Sequence, residues 1–152
     1  MAKLLAVSLS CILCIVLAEG AAAAPICPAG VSSDKLEPLP LSLVEKAKTL
    51  FGLSMPDDLV QRTTLMRCAD GTVIMCNLGA NLPCGKANTS QTSAGATAWC
   101  HDNPNANVVP AFAVGHDTIY LWHCDNGTAK PGKQIEAVDK RGFVARYWKK
   151  AE

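Results

Sequence analysis

The segment RCADGTVIMCNLGANLPCGK, Arg67 to Lys86, holds three of the chain's eight cysteines. Thiols this close together serve as metal ligands, as a reactive centre or as disulfide halves. Structural zinc takes cysteines paired at short spacing, typically Cys-x₂₋₄-Cys. Here seven residues separate Cys68 from Cys76, and seven more separate Cys76 from Cys84. No Cys-x-x-Cys occurs, which removes a thioredoxin-type motif as well. Each histidine has an acid beside or near it, in Cys100-His101-Asp102, Gly115-His116-Asp117 and His123-Cys124-Asp125. A Cys-His-acid nucleophile needs a free thiol and partners adjacent in space rather than in sequence. Adjacent His and Asp side chains on a strand point to opposite faces. No catalytic constellation emerges, so the expectation is a non-enzymatic protein without a cofactor. Imidazole suits copper and zinc, making His101, His116 and His123 the candidate metal ligands. Met55, Met66 and Met75 would add soft ligands for Cu(I), although core packing is their ordinary role. His116 and Asp117 occupy a loop at a strand entrance, where Asp117 would cap the turn. Arg141 and Arg146, with Lys149 and Lys150 near Tyr147 and Trp148, would form an anion-binding edge; snorkelling surface residues explain them equally well.

The compartment decides what the cysteines do. Lys3 precedes LLAVSLSCILCIVLA, an apolar stretch of fifteen residues, and then small residues up to Pro25. This order reads as a secretory signal over residues 1–24, cut after Ala23 or Ala24, and is short of the about 20 apolar residues of a membrane span. The expectation is a periplasmic or secreted protein without stable membrane insertion. Cleavage removes Cys11 and Cys14 and leaves Cys27, Cys68, Cys76, Cys84, Cys100 and Cys124, an even set that reads as a disulfide framework. Formal net charge is +1 for the whole chain, which excludes bulk attraction to nucleic acid.

The elements follow from pattern. Residues 25–40 carry four prolines and read as an extended arm without regular structure, tied down by Cys27. The remainder, 41–152, reads as a single α+β domain. Ser42 and Glu45 make a capping box before Leu43, Ala47, Leu50 and Phe51 at helical spacing, and Gly52 stands where the helix should stop. Two strand-like runs, Thr63 to Cys68 and Thr118 to Cys124, lead into Asp70-Gly71 and Asn126-Gly127. Both are signals for two-residue hairpin turns, so an antiparallel sheet built from two β-hairpins is expected. A loop over 80–88 and a short helix from Ser93 to Cys100 separate them. A Lys-Pro-Gly break, a run from Gln134 to Val138, a turn at Asp139 to Gly142 and a terminal strand FVARYW complete the pattern. If Asp70-Gly71 is the turn, Cys68 faces Val73 and Cys76 lies three residues on, an offset of about 10 Å. A disulfide wants Cα atoms nearer than about 7 Å, which disfavours Cys68–Cys76. Cys76–Cys84 closes locally, and the other pairings stay open.

CNLGANLPCGKAN, GHDTIYLWHC and DKRGFVARYWK resemble segments of small exported bacterial proteins of unassigned function. Leu121 to Gly127, with Trp122 as the aromatic, is also similar to the Tyr-x-Cys-x-x-Gly element of periplasmic c-type lysozyme inhibitors. Their companion Ser-Gly-x-x-Tyr element is missing here. The resemblance implies inhibition of a lysozyme-like hydrolase as an alternative to the main expectation, a binding module for an unidentified envelope protein or ligand. Asn88-Thr-Ser and Asn126-Gly-Thr match the N-glycosylation pattern.

Overall fold

The computed structural model describes residues 25–79 and 81–151. The expected signal segment, with Cys11 and Cys14, lies outside the described residues. The chain folds as a small α+β domain with two antiparallel sheets and three disulfides.

The first helix, α1 (Val44–Phe51), forms where the apolar spacing places it, and buries Val44 and Ala47. Gly52 ends it in the left-handed region at φ 66°, where a side chain would be strained. The capping box does not form. A 3₁₀ turn over Leu41–Leu43 feeds the helix, so Leu43 rather than Ser42 stands at the N-cap, and no side chain caps it. Glu45 instead accepts from Lys48 Nζ at 3.2 Å. A second helix, α2 (Asp57–Thr63), follows at once and claims Thr63 from the expected strand. It starts on Pro56, whose carbonyl accepts from Leu59 and Val60, with Asp57 and Asp58 in the first turn.

The first hairpin is β2 (Thr64–Ala69) and β3 (Thr72–Asn77), turned by Asp70 and Gly71 at φ 50° and 81°. Both values suit a type I′ turn, and Cys68 does face Val73. Two short strands complete this sheet: β1 (Glu37–Pro38) beside β2, and β6 (Lys149–Lys150) beside β3. The arm thus holds a little regular structure after all. Pro38 is tolerated because β1 is an edge strand. Strand parity divides the sheet's faces. Met66 and Met75 pack with Leu39, Val44, Ala47 and Val60 under the helices, whereas Arg67 and Ile74 face the returning C-terminal segment.

The second hairpin, β4 (Tyr120–Asp125) and β5 (Thr128–Gln134), forms a separate two-stranded sheet rather than joining the first. Its turn residues Asn126 and Gly127 have φ 48° and 80°. Trp122 and Cys124 point inward onto α3 (Ala94–Asp102), while Leu121 and Asp125 face outward. Ser93 caps α3 by accepting from Ala96 N at 3.1 Å. A single turn, α4 (Ala111–Val114), crosses α3 so closely that a Cβ on Gly95 would sit 1.8 Å from the Ala113 carbonyl oxygen.

Two expectations fail near the C-terminus. Lys130-Pro131-Gly132 does not break the chain but continues β5, because a two-stranded ribbon leaves an open edge for Pro131 and absorbs the misfit as a bulge between Tyr120 and Trp122. FVARYW is not a strand. After the Asp139–Gly142 turn, Ala145–Tyr147 coil into a 3₁₀ turn, and only β6 rejoins the sheet.

The disulfides are Cys27–Cys68, Cys76–Cys84 and Cys100–Cys124, with Cα separations of 5.6, 5.8 and 5.3 Å. The local pair is the expected one, and Cys68 reaches back to the arm instead of across to Cys76. Such staples suit an oxidising, extracytoplasmic location.

Candidate functional site

Arg67 is the most constrained charge among the described residues. Its side chain is 1% exposed and lies between the rings of Phe143 and Trp148, with Cζ 4.0 and 4.6 Å from the two centroids. Nη2 donates to Asp139 Oδ2, while the buried Nε has no partner. The other oxygen, Asp139 Oδ1, accepts the backbone N–H groups of Arg141 and Phe143 at 2.9 and 3.0 Å. Burial opposes ionisation of Asp139, but these donors and the guanidinium outweigh it and hold the carboxyl below the ordinary aspartate range. Beside this pair lies an open cleft of about 290 Å³, lined by Ser32, Arg67, Asp70, Asp139, Lys140 and Arg141 among others. The arm forms one wall, where Ser32 donates to Asp70 at 2.9 Å. Asp34 binds both Arg141 and Lys86, and these two donors pull its carboxyl below the usual value.

A second, larger cleft of about 510 Å³ opens on the helix side of the sheet. Phe51 from the end of α1, Leu53 and Leu82 give it apolar walls, and Asn77, Arg146, Tyr147 and Lys149 supply polar groups. Asn77 is held rigidly. Its Nδ2 donates to Thr63 O, Thr63 Oγ1 and Thr64 Oγ1 at 3.2, 3.1 and 2.9 Å. The Thr63 carbonyl can only accept, which fixes the amide's orientation. Lys149 Nζ donates to Leu50 O at 3.0 Å and lies 5.0 Å from the Phe51 ring centroid. Arg146 grips Glu136 through Nε and Nη2, and those donors lower the Glu136 carboxyl from its ordinary value.

The structure therefore distributes the sequence-derived candidates. Arg141 and Arg146 do not share one basic edge; each borders a different cleft and each is paired with a carboxylate. His101 is exposed on α3 with Nδ1 2.8 Å from Asp102 Oδ1, His116 is exposed after α4, and His123 is half-buried on the outer face of β4. No group of three or more potential ligands that could hold a metal occurs among the described residues. The Asp117 carboxylate rests against Gly115, where a Cβ would come within 2.6 Å of Oδ1. Sequence reasoning missed Arg67, Asp34, Glu136 and Asn77. For Arg67 the sequence offers no signal, since a basic residue in a strand run ordinarily points to solvent.

No protein family, curated protein or solved structure matches this chain. Among the described residues no helix is long and apolar enough to cross a membrane.

Proposed function

We propose that the chain is an exported, non-enzymatic binding module, stapled by its disulfides and working in the periplasm or outside the cell. The observation that carries this reading is the 510 Å³ cleft. Its size falls in the range of about 300–1,000 Å³ typical of small-molecule sites, and its lining mixes apolar walls with a few fixed polar groups in the manner such sites require. The six described cysteines are all consumed in disulfides, so the thiols act as structure rather than as nucleophiles. Immobilised oxidised protein is expected to retain a component of an envelope extract, and Leu53→Arg, which fills the cleft with a charged side chain, is expected to release it. Equal retention by the parent and the Leu53→Arg protein would overturn the reading.

The lysozyme-inhibitor resemblance gives a narrower version. Its element is β4 with its turn, and Trp122 is buried, so Leu121, His123, Asp125 and Asn126 are left to meet an enzyme. A turbidity assay tests it: undiminished lysis at large molar excess, across several lysozyme types, removes this version.

A further inference from the structure

The chemistry of the larger cleft is specific enough to name a ligand class. We infer that it takes a small amphipathic anion, with an apolar chain against Phe51, Leu53 and Leu82 and an anionic head at Lys149 and Arg146. This rests on the binding reading above and narrows it.

Three observations converge on the polar end. Lys149 Nζ has three donors and gives one to Leu50 O, leaving two for a ligand. Arg146 spends Nε and Nη2 on Glu136 and Tyr147, and its Nη1 donors take no partner among the described residues. Counting Arg146, Glu136 and Lys149 together, this rim keeps one net positive charge. Asn77 adds a directional group. With Nδ2 locked onto the threonines, Oδ1 faces away from them and receives no donor among the described residues. The pairing of Met75 with Lys149 puts Asn77 and Lys149 on one face of the sheet as diagonal neighbours, about 7–8 Å apart.

The apolar end is built differently. Phe51 and Leu53 flank Gly52, whose left-handed conformation turns the chain at the end of α1. Leu82, whose backbone exchanges hydrogen bonds with that of Gly79 at 3.2 and 3.3 Å, adds a third apolar side chain to the lining. Leu82 stands two residues before Cys84, which the disulfide to Cys76 ties to β3. Apolar side chains carried by the end of α1 and by a segment tied through Cys84, with a rim of spare donors, form a site arranged before any ligand arrives, which spares the ordering cost of binding. The smaller cleft lacks this division. Ala69 is the one apolar residue in its lining, and although Lys140 has no ion-pair partner among the described residues, Arg67 and Arg141 are each matched by a carboxylate.

The test is titration of the oxidised, exported protein with monomeric decanoate, decanol and decylamine, followed by amide chemical shifts. Decanoate is expected to shift Phe51, Leu53, Asn77 and Leu82 and to bind about tenfold more tightly than decanol, with decylamine weakest. Lys149→Gln is expected to remove most of that tenfold advantage while leaving decanol affinity and the shifts of β4 and β5 unchanged. Lys140→Gln, on the smaller cleft, should alter neither. Decyl phosphate run beside decanoate tells a phosphate head from a carboxylate. Equal decanoate and decanol affinity, insensitive to Lys149→Gln, overturns the anionic head and leaves the cleft as a binding site. If no probe shifts the cleft but Leu53→Arg still releases the retained extract component, the amphipath is wrong and the binding module stands. If Leu53→Arg also changes nothing, both readings fall.

Discussion

Arg67 and Asp139 are unequal partners, because the guanidinium is shut between two rings whereas the Asp139 side chain is 28% exposed. Removing the carboxylate strands a buried charge; removing the guanidinium does not. Asp139→Asn keeps an Oδ1 for the turn's N–H groups and is expected to lower unfolding free energy by about 2–4 kcal/mol in urea melts. Arg67→Met, which refills the space between Phe143 and Trp148, should cost clearly less. The reverse ranking would show that the aromatic sandwich, not the pairing, sets the stability. Acid should expose the same contact. Folded Asp139 titrates below an ordinary aspartate, so its contribution is complete above about pH 4 and is lost as pH falls through the folded value. The stability of Asp139→Asn should therefore drop less than the parent's between about pH 4 and pH 2, although Asp34 and Glu136 continue to titrate. None of this pairing was legible in sequence. Arg67 stands in a strand run where a basic residue ordinarily points to solvent, and its partner lies 72 positions away. The basic residues near the C-terminus stood out, but the acids that bind them, Asp34 and Glu136, carry no local mark.

The two hairpins show what local signals deliver. Asp70-Gly71 and Asn126-Gly127 both adopt positive φ, because a type I′ turn asks it of those two positions wherever the hairpin sits. Their surroundings differ. A Cβ on Gly127 would meet its nearest atom at 3.9 Å, whereas one on Gly71 would lie 2.7 Å from Gly30 N and 3.0 Å from Ala29 Cα. Gly127→Ala is thus expected to cost only the conformational strain, about 1–2 kcal/mol. Gly71→Ala should cost about 3 kcal/mol or more, since the arm must also shift while Cys27 holds it, and should raise the share of mispaired disulfides. Thermal melts and non-reducing peptide maps of the two variants check this; equal effects would mean that the arm does not pack on the first turn. Helix α3 was legible as a short helical run beginning at Ser93, and the structure adds that the Ser93 side chain caps it. Helix α2 was not, because Val60 is its only buried residue and gives no periodicity to read. FVARYW misled in the opposite sense. Its β-branched and aromatic residues favour a strand, but the chain coils at Ala145–Tyr147 to bring Phe143 and Trp148 around Arg67.

At the scale of the molecule, two apolar clusters divide the interior. One joins Leu39, Val44, Ala47, Val60, Met66 and Met75; the other joins Ala96, Cys100, Val109, Trp122 and Cys124. Cys27–Cys68 and Cys76–Cys84 lie in the first sheet and its arm, and Cys100–Cys124 ties α3 to β4. Among the described residues no disulfide joins the halves. They meet through backbone contacts such as Asn88 with Thr118, and through the segment that carries Asp139 and Phe143 from the end of β5 back to Arg67. Each staple should therefore stabilise mainly its own half. Chain-entropy reasoning gives about 4 kcal/mol for the 41-residue separation and about 3.5 kcal/mol for the 24-residue one. Replacing Cys100 and Cys124 together by alanine should speed amide hydrogen exchange in α3, β4 and β5 by roughly two orders of magnitude, with β2 and β3 slowed or unchanged relative to that. Replacing Cys27 and Cys68 should do the reverse, loosening β1, β2 and the first turn while β4 and β5 keep their protection. Uniform acceleration by either pair would show that Arg67, Asp139 and the segment around them fuse the halves into one cooperative unit.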